Sequence, residues 1–348
     1  MLDLCECAAD GYCPRYKQDM TGRFRQICRG ENIDLGTAAA FRQQWKLEAG
    51  PMATVDQPVR LKLVFDQAAG DAVCATAAIY SLHTAHPGKY ITSVESQFPE
   101  VFVDNPHVSY QPGGSELRMH YPAIHQSNER GIHFMQGWCE FLGAALGVEV
   151  PLLTNRPHLY FKQEPAPPPN DYWIVCAGGK KDFTAKHWPY YQEVVDALSP
   201  DIQFAQVGLD QAPLNHVWNF VGQTSLGKLA VLVHGARGVL CGVSLLMHVA
   251  AALDKPAVVI AGGREPVQWN AYPRQHYLHT VGELPCCENK ACWKSCTERD
   301  CQRPVDGSPE CMRMIHSEEV ADLIRRIESR TQRVTAHEER IASDPGGR

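Results

Sequence analysis

A strand–helix–strand rhythm occurs twice in this 348-residue chain, and it constrains the fold more than any other feature. In its first occurrence a strand at 59–65, alternating and then apolar, precedes a helical pattern from Ala72 to about Ala85, and a second strand follows at 90–95. Short connections between strand, helix and strand are typical of a right-handed βαβ unit in a parallel sheet. The sequence therefore predicts an α/β fold.

The rhythm restarts after a proline-rich segment at 165–170, which we interpret as a linker between two Rossmann-like domains. The further predicted strands lie at 172–176, 202–207, 239–243 and 256–261, and the further helices at 38–47, 132–146, 225–236, 245–253, after Pro189 and from Ser317. The predicted division is an N-terminal extension at 1–57, a first domain at 58–164, the linker at 165–170, a second domain at 171–330 and a flexible tail at 331–348.

Composition limits the classes of function. The chain is 44% hydrophobic and 21% charged, as in a globular protein, and it has no apolar run long enough to span a membrane. With 33 basic against 39 acidic residues its net charge is −6, which disfavours a broad nucleic-acid interface. The first residues lack the basic and apolar regions of a secretory signal, so we expect a cytoplasmic location.

The 14 cysteines are unevenly distributed. One group is Cys5, Cys7, Cys13 and Cys28, and a second group of six lies at 286–311. Without a secretory signal such clusters favour metal ligands over disulfides, and four thiols of the second group would complete a tetrahedral site for a structural zinc or iron ion. For the N-terminal group, free thiols or disulfides are favoured over a second metal site or a contribution to the first site. The predicted ligands are drawn from Cys287, Cys292, Cys296, Cys301 and Cys311, with buried thiols or disulfides as the alternative.

Three loops follow predicted strands, where open α/β sheets bind their ligands. The first places Asp71 at the head of a helix, either as a base that takes a proton from an acceptor hydroxyl or as a helix cap. From this residue alone the cap is the favoured interpretation.

The second loop, at 176–189, combines two glycines with three lysines just before a helix, which suits a diphosphate; a solvated surface loop is the alternative. In the third loop Ser244 is a natural N-cap of a small-residue helix, whose free amides would face a phosphate. His248 lies one turn into that helix, where a lone histidine is more often a packed, hydrogen-bonded core residue than a ligand contact.

Four segments in order resemble the ADP-heptose:lipopolysaccharide heptosyltransferase family, a glycosyltransferase group of the GT-B architecture. The similar segments are Gly70-Asp71 with its helix to His86-Pro87, the K-x-W-P-like Lys186-His187-Trp188-Pro189, the stretch 221–230, and the stretch 243–256. The resemblance covers residues from about 59 to 330. It implies two domains of GT-B type facing across a cleft, with the donor on the second domain and the acceptor on the first.

The resemblance also implies the activity: inverting transfer of heptose or a related sugar from a nucleotide diphosphate sugar, expected to be ADP-linked, to an acceptor hydroxyl. No cofactor is implied for catalysis. Asp71 matches the catalytic base, and Lys186 matches the lysine that steadies the departing phosphate. The predicted donor-binding residues are Gly178, Gly179, Thr184, Lys186, Ser244, His248, Arg264 and Glu265. The acceptor would be a carbohydrate, a protein or a small molecule, and an oligomer is compatible with the sequence.

The chain departs from the family pattern at two positions of the third loop. Val243 stands where the family has Asp, and Leu245 stands where it has Gly. We hypothesise that Glu265 supplies the missing contact to a sugar hydroxyl and that Arg264 binds phosphate with two hydrogen bonds. The alternative is a catalytically inactive GT-B-like binding or assembly module stabilised by metal. Autotransporter heptosyltransferases of the wider family hold iron on a cysteine finger, so the resemblance includes iron as an option.

Overall fold

The computed structural model describes residues 57–111, 113–120, 131–161, 171–178, 184–289, 291–292, 301 and 303–343, with side chains of the last helix up to 330. The predicted helix at 38–47, the N-terminal cysteines and the predicted linker at 165–170 lie outside the described residues. Among the described helices, none combines the length and the apolar character that a membrane crossing requires.

The first domain contains a three-stranded parallel sheet with helices packed against it. Its elements are β1 (Val59–Phe65), α1 (Ala69–Ala85), β2 (Tyr90–Ser96), β3 (Ser115–Arg118) and α2 (Phe134–Leu146). The strand order is β2-β1-β3, and Leu63 in the central strand pairs with Val94 on one side and Leu117 on the other. The predicted bounds of β1 are confirmed. Helix α1 starts earlier than predicted, and β3 was not predicted because it is short and largely exposed.

The second domain contains a six-stranded parallel sheet in the order β6-β5-β4-β7-β8-β9. Its strands are β4 (Tyr172–Cys176), β5 (Gln203–Gln206), β6 (Val217–Asn219), β7 (Gly238–Gly242), β8 (Ala257–Gly262) and β9 (Gln275–His279). Its helices are α3 (Tyr191–Leu198), α4 (Leu226–Gly235), α5 (Leu245–Ala252) and the single turn α6 (Val267–Asn270). Because strand addition reverses between β4 and β7, their carboxyl ends form the crevice where such sheets bind ligands.

The last described elements are a small hairpin, a one-turn helix and a long helix. These elements are β10 (Pro304–Val305), β11 (Ser308–Pro309), α7 (Glu310–Arg313) and α8 (Ser317–Ser343). Helix α8 runs past residue 330, where we predicted a flexible tail, because the polar stretch to 343 contains no Gly or Pro to end it. The Trp173 indole donates a 2.6 Å hydrogen bond to Glu328, which also pairs with Arg237, so α8 is fixed to β4.

The described residues form two buried clusters, of which one joins the two domains. Because side chains alternate along β4, Ile174 enters one cluster and Trp173 the other. The first cluster is continuous from β1, α1 and α2 into the α4–α5 side of the second sheet, and it includes Trp269 and Tyr272. The second cluster lies on the opposite face, between β4, α3 and α8. The two domains therefore share one apolar core.

Candidate active site

The head of α1 meets the first turn of α5 at the boundary between the domains. A Cβ on Gly70 would lie only 3.0 Å from His248 Cδ2 and 3.5 Å from Leu245 Cα, so the absence of a side chain permits the close approach. Asp71 follows in the first turn of α1, whose N-cap is Ala68. The structure thus brings Asp71 and His248, which lie far apart in sequence, to one place, and Asp71 is not the helix cap.

Lys186 and Glu265, both predicted to bind the donor, form an ion pair. Glu265 is 5% exposed and also accepts a 2.7 Å hydrogen bond from Asn270 Nδ2. The Lys186 ammonium additionally donates to the Val243 carbonyl at 3.3 Å. A carboxylate can be buried in this way because a cation and an amide satisfy it together. The pair lies at the carboxyl ends of β7 and β8, beside the residue that is Val rather than Asp.

His248 is buried and carries no charge near neutral pH. Burial, followed by the nearby His133 and Lys186, lowers its pKa to about 3. Its Nδ1 lies 2.7 Å from the Tyr272 hydroxyl, and the two rings meet edge to face. His248 is therefore packed and hydrogen-bonded, as expected for a core histidine, and the hydrogen bond to Tyr272 orients its ring.

Tyr272 and His133 are site residues that the sequence did not reveal. Tyr272 follows the short helix α6 of the second domain, yet its ring lies 4.8 Å from the ring of His133 in the first domain. His133 caps α2, where its Nδ1 accepts from the Met135 amide at 3.1 Å. Burial lowers the pKa of His133 to about 4, although the Asn270 and Ala271 carbonyls act in the opposite direction. Neither residue belongs to a recognisable motif, so only the folded chain could identify them.

The remaining donor-binding predictions lie on the loops after β4 and β7. Ser244 is the N-cap of α5 as expected, but its side chain makes no capping hydrogen bond. The Gly178 carbonyl accepts from Gln211 Nε2 at 3.2 Å, and Thr184 is exposed at the start of a 3₁₀ turn that ends at Lys186. Gly179 lies outside the described residues.

The loop that carries Arg264 and Glu265 packs directly against the C-terminal cysteines. A Cβ on Gly263 would lie 2.8 Å from Cys287 Sγ and 3.4 Å from Cys311 Cβ. The Cys292 amide donates to the Gly263 carbonyl at 3.0 Å, and Arg264 itself is buried. Cys287, Cys292 and Cys311 therefore hold the loop in place by contacts at Gly263.

The described residues do not assemble the predicted metal site. Among them no group of three or more His, Cys, Asp or Glu side chains is placed to hold a metal ion. Burial raises the pKa of Cys311 to about 11, which favours the thiol, and Cys287 donates to the Thr280 carbonyl at 3.4 Å. The predicted ligand Cys296 lies outside the described residues. No disulfide joins the described cysteines.

The structure has two βαβ units, a doubly wound second sheet and a candidate site where the two units meet. These features define a fold of GT-B architecture. The model of glycosyltransferase family 9 (heptosyltransferase) matches residues 124–297, half of the chain. The chain belongs to this family.

Known proteins support the assignment. Lipopolysaccharide heptosyltransferase 2 of Salmonella typhimurium is 28% identical over 128 residues, which are 36% of this chain and 32% of that protein, so the chain spans about a third of the length of the curated relative it matches.

Two solved structures share the fold. The iron-containing dodecameric glycosyltransferase TibC of enterotoxigenic Escherichia coli has a TM-score of 0.59 at 16% identity, covering 80% of this chain and 79% of its own. TibC has also been solved with ADP-D-β-D-heptose. The ADP-heptose lps heptosyltransferase II of E. coli has a TM-score of 0.52 at 15% identity, covering 79% and 100%.

Proposed function

We propose that the chain is an inverting glycosyltransferase that moves heptose or a related sugar from an ADP-linked donor to an acceptor hydroxyl. The observation that carries the proposal is the meeting of a carboxylate, a paired lysine and a neutral histidine at the domain boundary. Asp71 lies at the head of α1, His248 faces that helix, and Lys186 lies close enough to influence the pKa of His248. Family membership supports the same reaction.

In the proposed reaction Asp71 takes the proton of the acceptor hydroxyl while its oxygen attacks the anomeric carbon. The bond from that carbon to the diphosphate breaks as the new bond forms on the opposite face, so the configuration inverts. Lys186 stabilises the negative charge that develops on the departing diphosphate, which requires no metal. Near neutral pH the buried His248 is a poor proton acceptor, because its pKa is lowered to about 3. This leaves the role of base to Asp71.

The other predicted residues hold the donor in this proposal. The diphosphate binds to two segments. One is the loop after β4, through Gly178, Gly179 and Thr184, and the other is the start of α5 at Ser244. Glu265 is held by Lys186 and Asn270, and from there it orients Lys186 or accepts from a sugar hydroxyl. Arg264 lies in the same loop and provides a cation beside the diphosphate.

The test is a panel of nucleotide diphosphate sugars with release of nucleoside diphosphate as the readout. We expect release with an ADP-linked heptose donor, and we expect Asp71→Asn to reduce turnover by about 100-fold or more, as loss of a general base does. Asp196→Asn on the exposed face of α3 is the matched control and should keep full turnover. An absence of both release and ligand-induced thermal stabilisation with every donor would rule out the enzyme.

The alternative is a catalytically inactive binding or assembly module. It is favoured by Val243 and by the Lys186–Glu265 pair, which already neutralises the cation that a diphosphate would need. Binding of ADP with no sugar transfer to carbohydrate, protein or small-molecule acceptors would support this function.

We further propose a cytoplasmic protein that forms oligomers and carries a structural zinc or iron ion on its C-terminal cysteines. The described cysteines form no disulfide, which suits a reducing compartment, and Cys287 and Cys311 both pack on Gly263. The dodecameric state and iron of TibC motivate the assembly and the metal. Light scattering and metal analysis of the purified chain test both; a metal-free monomer would contradict them.

A further inference from the structure

We propose that Tyr272 is a positioning residue: its hydroxyl holds His248 as the neutral tautomer whose Nε2–H faces the head of α1. The inference rests on the proposed function for the identity of the ligand, but the arrangement of the two side chains is independent of it. Tyr272 comes from the loop after α6 and is 3% exposed, and His248 on α5 is 7% exposed.

The direction of the hydrogen bond follows from the acceptors around the Tyr272 hydroxyl. This hydroxyl lies 2.7 Å from His248 Nδ1, and the Cys74 side chain of α1 also hydrogen-bonds with it. A neutral imidazole nitrogen is a good hydrogen-bond acceptor, whereas a thiol sulfur is a weak one. Burial raises the pKa of Cys74, so its sulfur stays a protonated thiol and does not become a strong thiolate acceptor. The Tyr272 hydroxyl therefore keeps its proton and donates its hydrogen bond to His248 Nδ1.

A neutral imidazole carries one proton, so a Nδ1 that accepts leaves that proton on Nε2. This edge of the ring faces the first turn of α1: a Cβ on Gly70 would lie 3.4 Å from His248 Nε2. Asp71 is the next residue along that turn. The Nε2–H group is thus directed at the place where the proposed reaction would occur.

The groups around His248 keep it uncharged. Burial contributes most, and His133 from the start of α2 and Lys186 from the end of its 3₁₀ turn act in the same direction, while Tyr272 hydrogen-bonds to His248 and the head of α1, which carries Asp71, packs against it at Gly70. A second positive charge beside the Lys186 ammonium is unfavourable in a buried site. His248 therefore provides a hydrogen bond to a ligand oxygen without competing with Asp71 for the acceptor proton.

The experiment is ¹⁵N NMR of histidine-labelled protein, wild type and Tyr272→Phe, with His248→Gln to assign the resonance. We expect wild-type His248 to show a protonated Nε2 and an accepting Nδ1 that do not titrate between about pH 8 and pH 5. In Tyr272→Phe the Nδ1 signal should lose its hydrogen-bond shift and the tautomers should mix. A protonated Nδ1 in the wild type, or an unchanged spectrum in Tyr272→Phe, would overturn the proposal.

Tyr172→Phe is the matched control, because the buried Tyr172 hydroxyl donates to the Leu232 carbonyl at 2.7 Å, on a different element. Both variants should lose similar stability, but only Tyr272→Phe should lower kcat, by about tenfold with a donor KM within about twofold, as expected for one hydrogen bond. If the two variants had equal kcat, Tyr272 would have only a structural role, which would contradict the proposal. If the wild type transfers no sugar, the proposed function fails while the NMR result still decides the tautomer.

Discussion

The Lys186–Glu265 pair is the part of the site in which single residues matter most. Glu265 is nearly inaccessible, so its charge depends on Lys186 and on the Asn270 amide. Lys186 retains some contact with solvent and reaches the Val243 carbonyl at the end of β7. The carboxylate on the β8 loop therefore lies near the position where the family has an acidic residue on the β7 loop.

Glu265→Gln tests this residue. The amide keeps the shape but leaves Lys186 without a counter-charge, so we expect a loss of about 1–3 kcal/mol in the free energy of unfolding and a drop of about 10- to 100-fold in sugar transfer. Denaturant unfolding and steady-state kinetics measure the two effects. Glu95→Gln removes one partner of the exposed Lys62–Glu95 pair and should cost at most about 1 kcal/mol, with normal transfer. If Glu265→Gln and Glu95→Gln lost the same stability and the same transfer activity, Glu265 would have no special role in the site.

At the scale of elements, the site depends on two helix starts that approach each other across the domain boundary. Helix α1 supplies Asp71, and α5 supplies His248 one turn from its N-terminus. The small side chains of α1, which is rich in alanine, allow it to pack closely, and Gly70 allows the closest approach.

Gly70→Ala should therefore impair the site. The new Cβ would lie 3.0 Å from His248 Cδ2, so His248 must shift, and we expect transfer to fall by about tenfold or more. Gly227→Ala in α4 is the control, because nothing lies closer than 3.9 Å to its Cβ, and it should stabilise the fold by about 0.5–1 kcal/mol. Kinetics and thermal unfolding of both variants decide the matter; full activity in Gly70→Ala would show that the contact is unimportant.

The sequence predicted long, apolar elements well and short, polar ones poorly. The strands that begin at Val59 and Tyr172 have the predicted bounds, because the first alternates and then becomes apolar and the second is apolar throughout, as buried parallel strands are. The strand at Val217–Asn219 was missed because three residues carry too little periodicity. In the candidate site, Lys186 and Glu265 are predicted from the sequence, but the Asn270 amide that donates to Glu265 and the pair His133–Tyr272 arise only from tertiary packing.

At the scale of the whole molecule, buried histidines connect stability to pH. His133 and His248 are both buried, and burial lowers their pKa values to about 4 and about 3. In the unfolded chain they bind protons below about pH 6.5. Between about pH 6.5 and pH 4 the unfolded state therefore binds more protons than the folded state, and stability falls as the pH falls.

We expect each of these histidines to reduce the free energy of unfolding by up to about 1.4 kcal/mol per pH unit in that range. Denaturant unfolding at a series of pH values measures the slope. His248→Gln should make the slope shallower by about one proton, whereas His216→Asn at an exposed position should not change it. Constant stability from about pH 6.5 to pH 4.5 would contradict the prediction.

The apolar cluster that passes from α1 and α2 into the second sheet has a consequence for engineering. Phe134 of the first domain packs against Trp269 of the second, with tilted rings whose centroids lie 5.6 Å apart, and Tyr272 packs against His133. A chimera that joins one domain to the opposite domain of another family member would leave these side chains against surfaces that did not evolve with them. To change the donor preference of a family member, one would therefore graft single loops, or transfer all the residues that pack between the two domains, and not exchange whole domains.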